Sequence, residues 1–406
     1  MLILSASLPY PPTDGVKIKT FNLIKALSID NELYLISFYD TKDEIRDEYL
    51  RELNKYCKIL GLIKKRDLNL AYIVFNNLFG EEFGFLKRYK CRIFINTLKN
   101  IISKEKFDVI FFDTINLGQY HIYVPNNIIK IISPNDSLSL ALYDSFKRRK
   151  IYDLVKLYDY IMYIRTKKYE KRIYQEFDAC HVLSEVDRRY LKSINSNIEV
   201  YRTLTAVDID FFKPLSLSED YPSILYLGTL SGGGADYIVD FINNVYKKLI
   251  NFNPNIKFYI VGKNPKVDLL KISKKYPNIV LTGYVPDVRG YIAKSTLCIS
   301  PVRKRVGILN KVLQAMAMAK VVIGTPESFM GIKGAVDGIN CIIAKDYKDF
   351  VHKILNLLDD SKSRKKIGYN ARKLVEKMYS ITNFRENINN LLNKVISEVD
   401  IKNERL

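Results

Sequence analysis

The chain has 406 residues, of which 48% are hydrophobic and 27% charged, a balance that excludes a mostly disordered chain. No stretch reaches the roughly 20 apolar residues that span a bilayer, which excludes a transmembrane protein. Sixty-four Lys and Arg against 44 Asp and Glu leave a formal charge of +20. That excess calls for an anionic substrate, an anionic surface or a polyanionic partner, or else reflects drift toward a Lys-, Ile-, Asn- and Tyr-rich composition.

At about 100–200 residues per domain, the length predicts two or three domains. Five cysteines (Cys57, Cys91, Cys180, Cys298 and Cys341) lie far apart and form no CxxC pair. This spacing argues against a disulfide framework or zinc site and fits a reducing cytosol. The opening residues lack the basic start and apolar length of a signal peptide.

Short apolar runs alternate with longer amphipathic stretches, the rhythm of a parallel sheet covered by helices. Residues 1–7 read as a strand, followed by a Pro-rich loop to Gly15 and a helix over about 16–28. Strands follow at 31–38, 107–113 and 128–133, and the second of these ends in the carboxylate of Asp113, a common position for site residues in open α/β sheets. One long helix is expected over about 146–176, then a strand at 179–183. Ser184 and Asp187 have the spacing of a helix cap, and a strand follows at 198–202. The polar, proline-flanked loop 214–222 marks a domain boundary. Beyond it the rhythm restarts at 223–228 with a glycine-rich turn and a helix over about 234–250. Strands at 256–262, 278–283, 296–301 and 320–324 come next, with helices near 309–319, 346–359 and 362–378. The last helix, about 383–403, places Phe384, Ile388, Leu391, Leu392, Val395 and Val399 on one stripe. Two doubly wound α/β halves facing across a cleft are the expected architecture.

Residues 300–326 are the most informative segment. Strand end, basic loop, Gly307, helix and strand follow one another, with Arg303, Lys304, Arg305 and Lys311 around the helix start. Free N–H groups and the positive end of a helix attract anions, so this reads as a phosphate or diphosphate site. A solvated basic loop before a core helix is the plainer alternative.

The string from Gly307 to Met318, Gly-Ile-Leu-Asn-Lys-Val-Leu-Gln-Ala-Met-Ala-Met, resembles the donor-site helix of GT-B glycosyltransferases, in particular the large retaining family 4, or group 1. Other segments agree in order: Leu8 to Gly15, Tyr169-Glu170, Val182 to Asp187, Val207-Asp208 with Phe212 and Pro214, Ile260 to Gly262, and Asn370 to Arg372. The resemblance implies an α/β protein of GT-B fold, two doubly wound Rossmann-like domains. Residues 1–205, with the helix 383–406 crossing back, would form the acceptor-side domain, and residues 220–380 the nucleotide-sugar-binding domain. It implies a nucleotide diphosphate-sugar donor as substrate, no cofactor and no metal, and transfer with retention to a glycan or lipid-linked acceptor in surface polysaccharide synthesis.

By the same resemblance, Gly15 and Gly228 let backbone approach the donor, Gly307 and Ile308 stand at the phosphates and Gln314 holds the ribose, while Arg303 and Lys311, read from their charge, would replace the family's own basic pair as phosphate ligands. Asn135 and Asp136 stand where relatives contact the reacting sugar. Asp208 and Asp210 match Asp-x-Asp formally but fall in the linker signature. The family's two glutamates eight positions apart are Val306 and Gln314 here, and its basic pair after the first donor-domain strand corresponds to Thr229 and Gly232 to Gly234. A degenerate GT-B protein that binds a nucleotide sugar or partner without turnover is therefore the alternative.

His181 lies in an apolar strand and reads as a satisfied core residue. The stretch 146–172 carries ten Lys and Arg, three acids and five interleaved tyrosines. It fits an anionic membrane surface, making the protein cytoplasmic and peripheral at the inner membrane face, or else a solvated helix with tyrosines turned to its own core. Single-stranded nucleic acid suits the same composition, but no nucleic-acid fold signature accompanies it.

Overall fold

A computed structural model describes residues 1–149, 153–303 and 308–404. It divides into two compact units, Met1–Thr205 together with Ile381–Leu406, and Ala206–Ser380.

In the first unit the described residues form a seven-stranded parallel sheet. Its strands are β1 (Leu2–Ser5), β2 (Tyr34–Tyr39), β3 (Lys58–Lys64), β4 (Val109–Asp113), β5 (Ile129–Ser133), β6 (Ala179–Val182) and β7 (Val200–Arg202), in the order β3-β2-β1-β4-β5-β6-β7. β1 and β4 are buried along their whole length, as strands covered on both faces must be. Helix α1 (Gly15–Leu27) starts at Asp14, whose carboxylate accepts from the Lys17 amide at 3.1 Å. Helix α2 (Leu70–Phe79) follows β3, in a region where no element is expected from the sequence pattern. Phe38, Phe94 and Tyr120 pack ring on ring under the sheet, with centroids 4.6 and 4.4 Å apart.

The long helix expected over 146–176 is two helices, α3 (Leu138–Arg148) and α4 (Leu154–Ile173). Arg149 is extended, and Asp153 caps α4 by accepting from the Val155 amide at 2.9 Å, so a new start signal overrides continuous helical periodicity. Residues 150–152 lie outside the described residues. Helix α5 (Glu185–Ile194) begins at Ser184, which accepts from the Asp187 amide at 3.0 Å. The terminal helix, Ile381–Glu404, packs on α1 and buries Phe384, Ile388, Leu391, Leu392 and Val395. Arg385 Nε and Asn389 Nδ2 fasten it to Asp30 at 2.6 and 2.8 Å.

In the second unit the strands are β8 (Ser223–Leu227), β9 (Lys257–Val261), β10 (Ile279–Gly283), β11 (Leu297–Ser300), β12 (Val322–Gly324) and β13 (Ile342–Ile343), all parallel in the order β10-β9-β8-β11-β12-β13. The glycine run expected as a flexible turn is instead the first turn of helix α6 (Gly232–Phe241). Helix α7 (Asn310–Ala317) lies between β11 and β12. In each sheet the strand order reverses beside the first strand, between β1 and β4 and between β8 and β11. Such switch points, at the carboxyl ends of the strands, are where open α/β sheets bind ligands.

Candidate functional site

The nominated residues fall on the carboxyl edges of the two sheets, and each edge is described by itself. In the first unit Gly15 is the exposed first residue of α1, reached from the end of β1. Asn135 and Asp136 occupy the loop between β5 and α3, where Asn135 Nδ2 donates to Asp136 Oδ2 at 3.0 Å. A Cβ on Gly15 would stand 4.0 Å from Asn135 Nδ2, so the two loops lie side by side.

This loop is anchored at both ends by buried polar groups. Below its start, Lys19 Nζ sits 2.8 Å from Asp113 Oδ1, with side chains only 2% and 1% exposed, and also donates to the Ser133 carbonyl. Thr20 Oγ1 donates to Asp113 Oδ2 at 2.8 Å. Asp113 is thus committed to a buried ion pair and not aimed outward as its strand-end position led us to expect. Ser133 Oγ lies 2.9 Å from His181 Nδ1, and His181 Nε2 lies 2.7 Å from Thr203 Oγ1. Burial, with Lys19 adding to it, holds the imidazole pKa down at about 3, so the ring is neutral and structural, as its place in an apolar strand suggested.

At the other end Ser137 caps α3, its amide donates to Asp187 Oδ1 at 2.9 Å, and its hydroxyl donates to Glu170 Oε2 at 3.0 Å. The Leu138 amide donates to Glu170 Oε1 at 2.8 Å, and Ser139 donates to the same carboxyl. Burial pushes the Glu170 pKa up to about 7 despite these donors. Glu170 therefore prefers its proton in the folded state. The stability it contributes is present below pH 4.5 and lost as the pH rises through about 7, roughly 3 kcal/mol in all. Glu170→Gln is expected to abolish that fall, so urea midpoints compared at pH 5 and pH 8 should separate the variant from the parent by this amount. Lys19 and Glu170 were not singled out by sequence as parts of this edge. The available signal was a lysine at 19 within the apolar face of α1, flanked by Ile18 and Phe21.

In the second unit Gly228 ends β8, and glycine is needed there for packing. A Cβ would meet Tyr226 Oη at 2.4 Å, and one on Gly262 would meet the Gly228 carbonyl at 1.7 Å. Arg303 follows β11, and its guanidinium lies 4.0 Å from the Tyr347 ring centre, a partner that sequence reasoning missed. Beneath it, Ser328 Oγ donates to the Ser300 carbonyl at 2.6 Å and Thr325 Oγ1 donates to the Val302 carbonyl, which fix the end of β11. Gly307, with Lys304, Arg305 and Val306, lies outside the described residues. Ile308 precedes α7, whose start carries no side-chain cap, and Lys311 and Gln314 occupy its first and second turns.

Gln314 is only 5% exposed, and its Oε1 has no hydrogen-bond partner among the described residues. An unmade buried hydrogen bond costs on the order of 1–3 kcal/mol, so this acceptor suits a donor that arrives with a ligand. Asp208 Oδ1 accepts from the Phe211 amide at 3.0 Å in the linker. Among the described residues no group of His, Cys, Asp or Glu is placed to hold a metal ion, and no helix is long and apolar enough to cross a membrane.

Residues 221–360 match the model of the family described as glycosyl transferases group 1. A curated relative, the capsular polysaccharide biosynthesis glycosyltransferase CapM of Staphylococcus aureus, is 27% identical over 169 residues, 39% of this chain and 43% of the relative. The match thus spans less than half of that relative's length. Among solved structures, sucrose-phosphate synthase of Thermosynechococcus elongatus has a TM-score of 0.72 at 14% identity, covering 98% of this chain and 99% of its own. HepE of Anabaena, in complex with UDP, has a TM-score of 0.68 at 11% identity, covering 97% and 99%.

Proposed function

We propose that this chain, a GT-B protein that resembles the group 1 glycosyltransferases, transfers a sugar with retention from a nucleotide diphosphate-sugar to a glycan or lipid-linked acceptor. The observation that carries the reading is the buried Gln314 Oε1, without a hydrogen-bond partner among the described residues, one helical turn beyond Lys311 on a helix whose start has no side-chain cap. A ribose hydroxyl would donate to Gln314. The diphosphate would lie against Arg303, Lys311 and the backbone at Gly307 and Ile308, with the Gly228 backbone just beyond β8 as a further neighbour. As the glycosidic bond to the leaving phosphate breaks, negative charge develops on its oxygens, and these cations with the helix start stabilise it without a metal. Gly15, Asn135 and Asp136 would face the reacting sugar or acceptor. CapM, named for capsular polysaccharide biosynthesis, and HepE, solved with UDP, support a surface glycan product and a uridine nucleotide donor.

The test is a donor panel followed by calorimetry and by release of nucleotide diphosphate in the presence and absence of EDTA. Arg303→Ala and Lys311→Ala are each expected to weaken donor binding by about tenfold or more, the loss of a charged hydrogen bond. Unchanged affinity in both variants would sink the assignment of the phosphate ligands. Binding without release would favour the second reading, a degenerate GT-B binder, which the loss of the family's glutamate at Gln314 supports.

A further inference from the structure

Helix α2 is oriented against the usual rule for a surface helix. Its asparagines point inward and its aromatics outward: Asn76 and Asn77 are 6% and 5% exposed, while Phe75 and Phe79 are 61% and 72% exposed. The orientation is fixed by specific polar bonds. Asn76 Nδ2 donates to the Tyr72 carbonyl at 2.8 Å, and Lys87 Nζ donates to Asn76 Oδ1 at 2.6 Å. Asn77 Nδ2 donates to Tyr158 Oη at 3.0 Å and Asn77 Oδ1 accepts from the Phe85 amide at 3.3 Å. The Arg165 guanidinium of α4 caps the helix end through the carbonyls of Asn77, at 2.5 Å, and Gly80. The first of these lies within the helix, but rotating α2 to hide its rings would break those to Lys87, Tyr158, Phe85 and Arg165, so the aromatic face is held outward. Phe75 and Phe79 stand one turn apart, with ring centroids at 5.5 Å, and Tyr72 and Leu70 extend the exposed surface. Leu157, on the helix against which α2 packs, is also exposed.

Charge selects the occupant of this face. Helix α2 carries no charged residue, and the segment 64–92 around it has seven Lys and Arg against three acids; Lys64, Lys65, Arg88 and Lys90 pair with Asp67, Asp40 and Glu82, and the segment keeps a net positive charge. Lys87 lies over the Tyr72 ring at 5.5 Å, so a cation borders the apolar face. An apolar helical face bordered by basic residues is the composition that seats in the headgroup region of an anionic bilayer. Ten residues of helix are too short to span a bilayer, so the helix would lie in the surface plane. We propose that α2 docks the first unit on an anionic lipid surface by burying Phe75 and Phe79 among the acyl chains. In the basic stretch 146–172, Arg165 caps α2, while Arg149 pairs with Asp153 and Asp159 at 2.8 and 2.7 Å, so these two cations hold the unit together rather than face a bilayer. The inference rests on the lipid-linked form of the acceptor in the proposed function, but not on transfer or donor binding.

The experiment is flotation of the full chain with equimolar phosphatidylglycerol–phosphatidylcholine vesicles and with pure phosphatidylcholine vesicles. The parent is expected to float with the anionic vesicles, and Phe75→Asp/Phe79→Asp to lose about tenfold or more of the bound fraction. Thermal unfolding and donor calorimetry should be unchanged, because both side chains are exposed and far in sequence from the nominated site residues. The chain contains no Trp, so Phe75→Trp supplies a single reporter whose emission should shift to the blue only with anionic vesicles. Any of four results overturns the proposal: a parent that stays in solution, a double variant that floats like the parent, or an unmoved Phe75→Trp emission. The fourth is a dimeric parent that Phe75→Asp/Phe79→Asp makes monomeric by light scattering, which would assign the face to a second copy. Vesicle binding lost while donor binding persists separates this surface from the transfer site.

Discussion

Replacing His181 with glutamine is expected to remove about 5 kcal/mol of acid-induced loss of stability from the first unit. The folded imidazole has its pKa held at about 3 and an ordinary value near 6.5 once unfolded. The stability tied to a neutral ring is therefore complete above pH 6.5 and is lost as the pH falls from there toward 3. Ser133 and Thr203 flank the ring, and Lys19 is the charge that disfavours its protonation. A glutamine at 181 offers one acceptor and one donor group to the same two hydroxyls and has no proton to gain. Glu170 works in the opposite sense between pH 4.5 and 7, so the parent's profile is the partial cancellation of two buried groups. With the histidine gone, the Glu170 contribution stands alone, and the variant should be more stable at pH 5 than at pH 7.5. Urea unfolding across pH 4–8 measures this directly. A His181→Gln profile parallel to the parent's would show that the ring is not the titrating group.

Lys19→Met should be the most damaging single change to the same edge in neutral solution. It leaves the Asp113 carboxylate buried without its counter-ion, for which the expected cost is about 3–5 kcal/mol. For a unit of this size that is a fall in Tm on the order of 10 °C. Asp113→Asn added to Lys19→Met should recover part of the loss, because an amide oxygen still accepts from Thr20 and no charge remains buried. Calorimetry of the single and double variants decides it: a double variant no better than the single would mean that Asp113 is not the origin of the cost. Because Lys19 also holds the Ser133 carbonyl, the loop that carries Asn135 and Asp136 should loosen in Lys19→Met.

The alternation of buried strands and amphipathic helices was legible wherever a strand carries an unbroken apolar run, as in β1, β4 and β8. It failed between Phe38 and Phe107. There β3 begins and ends in lysine, and α2 turns Leu70, Tyr72, Phe75 and Phe79 outward while its asparagines are buried. A pattern reader assumes that apolar side chains point inward, and α2 breaks that assumption through tertiary bonds to Tyr158, Phe85 and Arg165 that lie 8 to 89 positions away. The basic loop and helix at 303–314 announced themselves by charge, glycine and family resemblance together. The buried supports did not. Lys19, Ser133, Glu170 and Asp113 are scattered over 150 positions, and only the parallel order of β1, β4, β5 and β6 gathers them at one edge. The break between α3 and α4 was missed because Asp153 is an ordinary polar residue until its side chain is seen to cap.

The terminal helix has a consequence for how the molecule is made. The first unit borrows Ile381–Glu404 to cover α1, although 175 residues of the second unit, Ala206–Ser380, are translated in between. On the ribosome the first unit therefore has all seven strands of its sheet in hand early, but lacks its last covering helix until the whole later unit has been made. Until Phe384, Ile388 and Val395 emerge, the partner surface on α1 is bare, and holding that nascent species soluble becomes a task for the cell rather than for the fold.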